Sequence, residues 1–422
     1  PFSVPNLSMF ATSSKFPSTV DADKGRSAAT HLAALTTGVA AVQRLRRARR
    51  GGKSTLNAEP DRGFRILEWA SSAMGGQKSL VKVARWGSRE AWRTMVKELA
   101  PQSPSGDYLR PASQLKAETG SKLTLIDGGH AVYVGNTCPW CHRIQLALVL
   151  RRVPENLVAR VQMLDEPERA SRGGWAFDPA RGVSDPVFDA ADLREVYDRA
   201  AGGEGKGYVG RCTAPLLVDR STGRAVSNDS IQLVRFITTA RLASDREVDL
   251  FPGGLESTIE ETNRWTYELL SNAVYRAGFS TSQEAFARAA EDVTRGLDRA
   301  NELLASQRFL CGDHITEADV MLLPCAARFD AVYAFLFLRG SCGLWREREH
   351  LRRWLRDCWS LPGVRETVDV RACQQSYYGT LFPLNPSQIV PVPAADPDAL
   401  GPAEELSISE AEACFHWKKA TE

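Results

Sequence analysis

The chain has 422 residues, of which 43% are hydrophobic and 25% are charged. This composition excludes a largely disordered chain, and the hydrophobic residues are numerous enough to form a sizeable core. Lys and Arg number 53 against 51 Asp and Glu, so charge gives no reason to expect a nucleic acid partner. No apolar run reaches the ~18 residues that a membrane span needs. The nine cysteines are too sparse for a secreted disulfide scaffold, and we expect most of them to be reduced and buried.

Residues 1–57 differ in composition from the rest of the chain. They are rich in Ser, Thr and Ala, contain two acidic residues, and place five arginines within residues 44–50 after a weakly apolar stretch. Scarce acids with abundant Ser and Arg are typical of transit peptides, and the order of these features resembles the plastid leaders of algae with complex plastids. We therefore predict a disordered targeting leader and a plastid location. The alternative is a solvated basic tail on a cytoplasmic protein.

Residues 58–115 are predicted to form an N-terminal extension that contains a helix. Apolar side chains recur at helical spacing from Leu80 to Leu99. Pro101, Pro104 and Pro111 then interrupt the pattern and indicate a loop.

Residues 116–245 alternate short strand and helix patterns. The runs 131–134 and 157–163 predict strands on either side of a helix that ends near residue 152. A strand led by Pro215 turns through Ser-Thr-Gly into a second strand, and Asp229 opens a helix. The order β-α-β followed by β-β-α predicts a mixed sheet with helices, a thioredoxin-like α/β domain.

Residues 250–380 have helical periodicity and predict an all-α domain. Within it, the segment Thr316-Glu317-Ala318-Asp319 predicts a capping box at a helix start. Residues 381–422, rich in Pro and acids after about residue 391, are predicted to be a peripheral C-terminal tail.

Cys138 stands where a predicted strand ends and a predicted helix begins. A thiol there faces the positive end of the helix dipole and the unpaired N–H groups of the first turn, which lower its pKa. Pro139 suits the first turn, because the N–H that it lacks would have been unpaired. Cys141 is three residues further on, on the same helix face and within reach of a disulfide. We therefore predict a nucleophilic or redox-active thiol at Cys138.

The pair Cys138 and Cys141 has two other interpretations, half of a zinc site or two buried thiols. The sequence contains no second Cys-x-x-Cys, and its six histidines are scattered. We therefore predict no metal.

Two further segments indicate a ligand with amino-acid character. In thioredoxin-like folds a proline that begins a strand, as Pro215 does, is usually cis, and the residue before it, here Ala214, offers its backbone to a peptide-like ligand. Asp229 and Ser230 at a helix start present a carboxylate, a hydroxyl and N–H groups that suit an α-amino acid. Taken singly, these are also an edge-strand proline and a helix N-cap. Together with the Cys138 helix they favour a glutathione site.

These elements, followed by an all-α half, resemble a glutathione S-transferase. Several longer motifs resemble the Xi-type glutathionyl-hydroquinone reductases in particular, over about residues 107–393. They are YVGNTCPWCHR (133–143), GWAF (174–177), NAVYRAGF (272–279), FLCGD (309–313), TEAD (316–319), RFDAVY (328–333), YYG (377–379), and NPS with IVP (385–387, 389–391). The region from Trp86 to Pro111 is similar to the iota class of photosynthetic organisms, which also carries Cys-Pro-Trp-Cys.

The resemblance implies a role for each matching position. Cys138 would be the nucleophile, and Trp175 would pack along glutathione. Ala214, before Pro215, would pair its backbone with the cysteinyl part, and Asp229 and Ser230 would bind the γ-glutamyl end. The acceptor pocket would be lined by Tyr275, Tyr333 and Tyr377. The family also implies a homodimer.

Two positions depart from the family pattern. Most Xi enzymes have a small residue in place of Cys141, which leaves the reaction type open, and Asp229 replaces the usual Glu, which bears on affinity.

Three hypotheses for the function follow. The first is reduction of glutathionyl-hydroquinones through a Cys138–glutathione mixed disulfide. The second is a dithiol route through Cys141, with glutaredoxin-like or dehydroascorbate-reductase activity. The third is a non-catalytic module that binds a quinone or a tetrapyrrole.

Overall fold

The computed structural model describes residues 65–73, 75–118, 125, 128–202, 207–242, 246–381, 384–392 and 406–419. The predicted leader, residues 1–57, lies outside the described residues. The chain divides into two compact units, residues 1–81 and residues 82–422. Helix α1 (Arg65–Ala73) belongs to the first unit, and helix α2 (Gln77–Leu99) begins there and continues into the second. The helix predicted over residues 80–99 is therefore confirmed.

The sheet of the second unit is mixed, as the thioredoxin-like pattern predicts. It contains β1 (His130–Gly135), β2 (Val158–Asp165), β3 (Trp175–Ala176), β4 (Leu216–Asp219) and β5 (Arg224–Ser227). Their order is β3-β2-β1-β4-β5, in which β1 runs parallel to β2 and antiparallel to β4. Strand β1 is therefore central, and its end carries the chain to Cys138.

Both faces of this sheet are covered by helices. The helices are α3 (Pro139–Leu150), α4 (Leu193–Ala200) and α5 (Ser230–Thr239). Successive strand side chains point to opposite faces, and in β1 Val132 joins the cluster of α3 and α5 while Tyr133 joins that of α4. Burial on both faces explains why β1 is an uninterrupted apolar run rather than an alternating one.

The all-α domain predicted over residues 250–380 consists of six helices. They are α6 (Glu256–Thr266), α7 (Ala273–Gly278), α8 (Gln283–Leu304), α9 (Glu317–Arg328), α10 (Glu349–Trp359) and α11 (Val370–Thr380). Wider π-helical turns extend α6 over Tyr267–Ser271 and α9 over Phe329–Phe337. The predicted capping box is confirmed at the start of α9, where the Thr316 N–H donates to Asp319 Oδ2 across 2.8 Å.

Within the described residues, Glu317–Phe337 is the one helix long and apolar enough to cross a membrane, and 94% of its most apolar window is buried in the fold. That burial is the pattern of a core helix.

The expectation of a peripheral C-terminal tail is wrong for residues 406–419. Helix α12 (Ile408–Glu412) precedes strand β7 (His416–Lys419), which pairs antiparallel with β6 (Arg246–Asp249). Cys414 is fully buried, and its carbonyl accepts from the Ile315 N–H across 2.8 Å. Strand β7 reads His-Trp-Lys-Lys, too short and too polar to give a strand pattern.

Candidate active site

Cys138 occupies the N-cap position of helix α3, as predicted. Its backbone is extended, with φ −78° and ψ 115°, and Pro139 takes the first helical position. The Sγ atom accepts from the Cys141 N–H at 3.4 Å. The residue is partly buried, and its sulfur contacts the N-terminus of the helix.

The pKa of Cys138 is shifted below its ordinary value by a balance of opposing effects. Burial acts to raise it, but hydrogen bonds from the Cys141 thiol and from the N–H groups of Cys141 and Trp140 outweigh burial, with help from the positive charge of Arg328. The pKa of Cys141 is shifted in the opposite direction, because full burial and the thiol-to-thiol hydrogen bond to Cys138 raise it. The two thiols are thus differentiated, with Cys138 as the more readily ionised one.

Arg328 is a fully buried cation that joins the two elements flanking Cys138. One Nη donates to the carbonyl of Asn136 at 2.8 Å, and the other lies 2.9 Å from His142 Nδ1. An arginine can only donate, so His142 Nδ1 accepts, and its Nε2 then donates to Thr367 Oγ1 at 2.7 Å. Among the described residues Arg328 has no carboxylate partner. Its positive charge is therefore not neutralised by an acidic side chain and favours an anion at Cys138.

The peptide bond between Ala214 and Pro215 is cis, as the thioredoxin-like pattern predicts. This geometry brings the Ala214 carbonyl within 3.6 Å of Cys138 Sγ. The backbone before Pro215 therefore borders the reactive sulfur, where a peptide-like ligand could pair with it.

A cavity of about 360 Å³ opens beside this pair. Of the predicted glutathione-binding residues, it is lined by Ala214, Pro215, Asp229 and Ser230. It is also lined by Trp140 and four basic residues, which are Arg110, Lys116, Arg143 and Arg211. Asp229 is the single acidic residue among the described residues of the lining, so this lining is cationic and suits a ligand with net negative charge, such as glutathione.

Asp229 both caps a helix and forms an ion pair at the cavity wall. Its Oδ1 caps helix α5 by accepting from the N–H groups of Ile231 and Gln232 at 3.0 and 3.3 Å, and its Oδ2 pairs with Lys116 Nζ at 2.7 Å. Asp229 is therefore both a structural cap and a carboxylate already paired with an ammonium group.

The basic residues of the cavity were not predicted as site residues. Arg110 and Lys116 lie on the irregular segment 100–118, whose Leu115 N–H donates to Asn228 Oδ1 and whose Ala117 exchanges two hydrogen bonds with Gln232. These bonds dock the predicted extension onto the start of helix α5. A proline-rich stretch without periodicity gives no signal of such long-range docking.

Trp175, predicted to pack along glutathione, is not among the residues that line the cavity. Its ring lies over Gly135, three residues before Cys138, so closely that a Cβ at that position would overlap it. The absence of a side chain at Gly135 therefore permits this packing.

The three tyrosines predicted to line an acceptor pocket are brought together. The hydroxyl of Tyr275 lies 3.2 Å from that of Tyr333 and 2.7 Å from that of Tyr377. Burial raises the pKa of Tyr275 to about 12 and raises the pKa values of the other two hydroxyls as well. All three therefore stay protonated at neutral pH and can donate hydrogen bonds.

No group of three or more potential metal-ligating side chains occurs in the part of the chain that the structure describes.

The central cysteine, the cis proline and the helical domain together define a glutathione S-transferase fold. Residues 137–240 match the family model of the glutathione S-transferase N-terminal domain, and residues 283–357 match that of the C-terminal domain. The chain belongs to the glutathione S-transferase family, in its Xi-type glutathionyl-hydroquinone reductase branch.

Three relatives support that assignment. The glutathionyl-hydroquinone reductase PcpF of Sphingobium chlorophenolicum is 32% identical over 73% of this chain and 95% of its own. The Xi glutathione S-transferase of Phanerochaete chrysosporium has a TM-score of 0.61 at 29% identity, covering 67% of this chain and 96% of its own. The glutathione-bound structure of YqjG from Escherichia coli has a TM-score of 0.59 at 29% identity, covering 70% and 97%.

Proposed function

We propose that this enzyme reduces glutathionyl-hydroquinones with glutathione, through a mixed disulfide between Cys138 and glutathione. One observation carries the proposal: a partly buried Cys138 with a lowered pKa lies 3.6 Å from the carbonyl before a cis proline. A cysteine in this position can form a disulfide with the ligand, which the Ser or Tyr of a conjugating transferase cannot do.

In the first step the Cys138 thiolate attacks the sulfur of the glutathionyl group. The new Cys138–glutathione disulfide forms as the bond between that sulfur and the quinol ring carbon breaks, and the electron pair of the broken bond leaves with the ring. The ring carbon takes up a proton, which gives the free hydroquinone. The protonated hydroxyls of Tyr275, Tyr333 and Tyr377 are suited to hold the quinol oxygens during this step.

In the second step the thiolate of another glutathione attacks the glutathione sulfur of the mixed disulfide. Oxidised glutathione leaves and the Cys138 thiolate is restored. Summed over both steps, one glutathionyl-hydroquinone and one glutathione give one hydroquinone and one oxidised glutathione.

Glutathione would lie in the cationic cavity. Asp229 suits its α-ammonium group, since Lys116 already places an ammonium there, and Ser230 at the start of α5 suits its α-carboxylate. The Ala214 backbone suits the cysteinyl part. Trp175 packs on Gly135 outside the cavity lining, and its contact with glutathione remains a prediction from the family.

The dithiol route is less well supported. Cys141 is fully buried and its pKa is raised, whereas a resolving thiol must ionise to attack. The surroundings of Cys141 suit a hydrogen-bond donor to Cys138 rather than a second nucleophile. The plastid location and the homodimer remain predictions from the sequence.

The test is turnover of glutathionyl-menadiol with glutathione, followed by chromatography of the products. We expect menadiol and oxidised glutathione in equal amounts, and no turnover by Cys138→Ser. A conjugation product without oxidised glutathione would overturn the proposal. A Cys138→Ser protein that turns the substrate over as well as the wild type would also do so.

A further inference from the structure

The cavity contains more positive charge than glutathione requires. Glutathione carries two carboxylates and one ammonium at neutral pH, a net charge of −1. The described residues that line the cavity carry a net charge of +3, from four basic side chains and Asp229. With glutathione bound, the positive charge of two cations therefore remains for another anionic group.

Arg143 is the first of these cations. It is 2% exposed, and its Nε donates to the Met321 carbonyl at 3.1 Å. Its Nη1 is buried and has no hydrogen-bond partner, and among the described residues Arg143 forms no ion pair. A buried guanidinium with an unpaired N–H is unfavourable by itself and is stabilised when an anion binds.

Arg110 is the second. Its guanidinium lies 3.9 Å from the centre of the Trp140 ring, and that of Arg143 lies 4.5 Å from the centre of the same ring. Arg110 likewise forms no ion pair with any described residue. One indole thus packs against two guanidinium groups, and both arginines are among the residues that line the cavity.

The two arginines lie at the tyrosine side of the site. Arg110 is 5.9 Å from the ring of Tyr275, and Arg143 lines a smaller void together with Trp140, Tyr275 and Tyr333. Lys116, by contrast, pairs with Asp229, which is predicted to bind the γ-glutamyl end of glutathione. The surplus charge is therefore next to the tyrosines that are predicted to hold the quinol.

We propose that Arg110 and Arg143, held on Trp140, form an anion subsite for the acceptor, so that the preferred substrate is a glutathionyl-hydroquinone bearing a carboxylate on its ring. This rests on the proposed function, because it assigns the acceptor to the tyrosine pocket. Both guanidinium groups offer paired N–H donors that match the two oxygens of a carboxylate. An uncharged quinol offers the buried Nη1 of Arg143 no charged partner.

The test compares two substrates that differ only in charge: the glutathionyl adduct of 2,5-dihydroxybenzoate and that of its methyl ester. For the wild type we expect kcat/KM to be about tenfold higher for the acid, the effect of a single well-placed charge pair of ~1.4 kcal/mol. Arg110→Gln and Arg143→Gln should each lower this acid-to-ester ratio several-fold. Arg352→Gln, an exposed arginine on helix α10, is the matched control and should leave the ratio unchanged.

Three results would overturn the proposal that Arg110 and Arg143 form an anion subsite for the acceptor. The first is an acid-to-ester ratio near one in the wild type. The second is an equal loss of acid and ester turnover in Arg110→Gln, which would indicate a structural role. The third is that Arg110→Gln weakens binding of glutathione but not of its glycyl ethyl ester, because the arginines would then hold the glycyl carboxylate. Failure of the proposed function would look different, because the wild type would then turn over neither the acid adduct, nor the ester adduct, nor glutathionyl-menadiol. Turnover of glutathionyl-menadiol by the wild type therefore shows that only the anion subsite has failed.

Discussion

The N–H of Cys141 donates to Sγ of Cys138 across the first turn of helix α3, at 3.4 Å. One cysteine therefore stabilises the anionic form of the other without itself being exposed. Arg328 adds a buried positive charge to the same thiol. The site thus favours a thiolate at one position of a two-cysteine motif and a neutral thiol at the other.

Alkylation of Cys138 should remain fast below pH 8, because its pKa is lowered and the thiolate is the reacting form. As the pH falls the rate should drop only when the pH passes below that lowered pKa. Removing the charge in Arg328→Gln should move the midpoint upward and slow alkylation at pH 7 by roughly fivefold, while Arg328→Lys should restore part of the rate. The measurement is the iodoacetamide rate against pH, read by peptide mass. A midpoint near the free-thiol value of about 8.5 in the wild type would contradict helix activation.

Cys141→Ser should retain most of the turnover with glutathionyl-menadiol. Serine keeps the backbone N–H and supplies a hydroxyl donor to Cys138, and the buried Cys141 thiol is poorly suited to ionise. Steady-state kcat of the two proteins measures this directly. Loss of turnover by more than about a hundredfold, with the fold intact by circular dichroism, would favour the dithiol route.

Asp229→Asn should raise KM for glutathione by about tenfold while leaving the melting temperature nearly unchanged. Asparagine caps a helix about as well as aspartate, but it cannot pair with an ammonium group. Asp229→Ala removes the cap as well, and should cost a further ~1 kcal/mol of unfolding free energy. If Asp229→Asn binds glutathione as tightly as the wild type by calorimetry, Asp229 acts as a helix cap alone.

Tyr275→Phe should lower kcat for glutathionyl-menadiol by roughly a hundredfold, since it removes the hydroxyl that bonds both other tyrosines. When the protein is treated with oxidised glutathione, the mixed disulfide between Cys138 and glutathione should still form with release of one glutathione, because no quinol takes part in that exchange. Because the pKa of Tyr275 is about 12, the loss should be constant from pH 6 to pH 9. A loss confined to the alkaline end of that range would mean that a tyrosinate acts instead.

Much of this site follows from local sequence patterns. A strand that ends shortly before Cys138, a proline at the start of the helix and a strand led by Pro215 each involve a few adjacent residues, and the structure reproduces all three. The capping box at Thr316 is equally local. Such features depend on backbone geometry that neighbouring residues set, which is why the sequence predicts them.

The other features of the site and of the fold depend on contacts between segments that are far apart in the chain. Arg110 reaches Trp140 only because the segment 100–118 docks beside helix α5, and Arg328 reaches Asn136 from the helical domain. Strand β7 pairs with β6, although the whole α domain lies between them in the chain. No periodicity marks these partners, because the contacts form only once the whole core has packed.

The most direct measurement is intact-mass spectrometry of the protein after mixing with one equivalent of glutathionyl-menadiol and no free glutathione. We expect the mass of the protein to increase by one disulfide-linked glutathione, located at Cys138 by peptide mapping, together with an equal amount of free menadiol. Added glutathione should then remove the adduct as oxidised glutathione. Release of menadiol from an unmodified protein, or an adduct confined to another cysteine, would contradict the account.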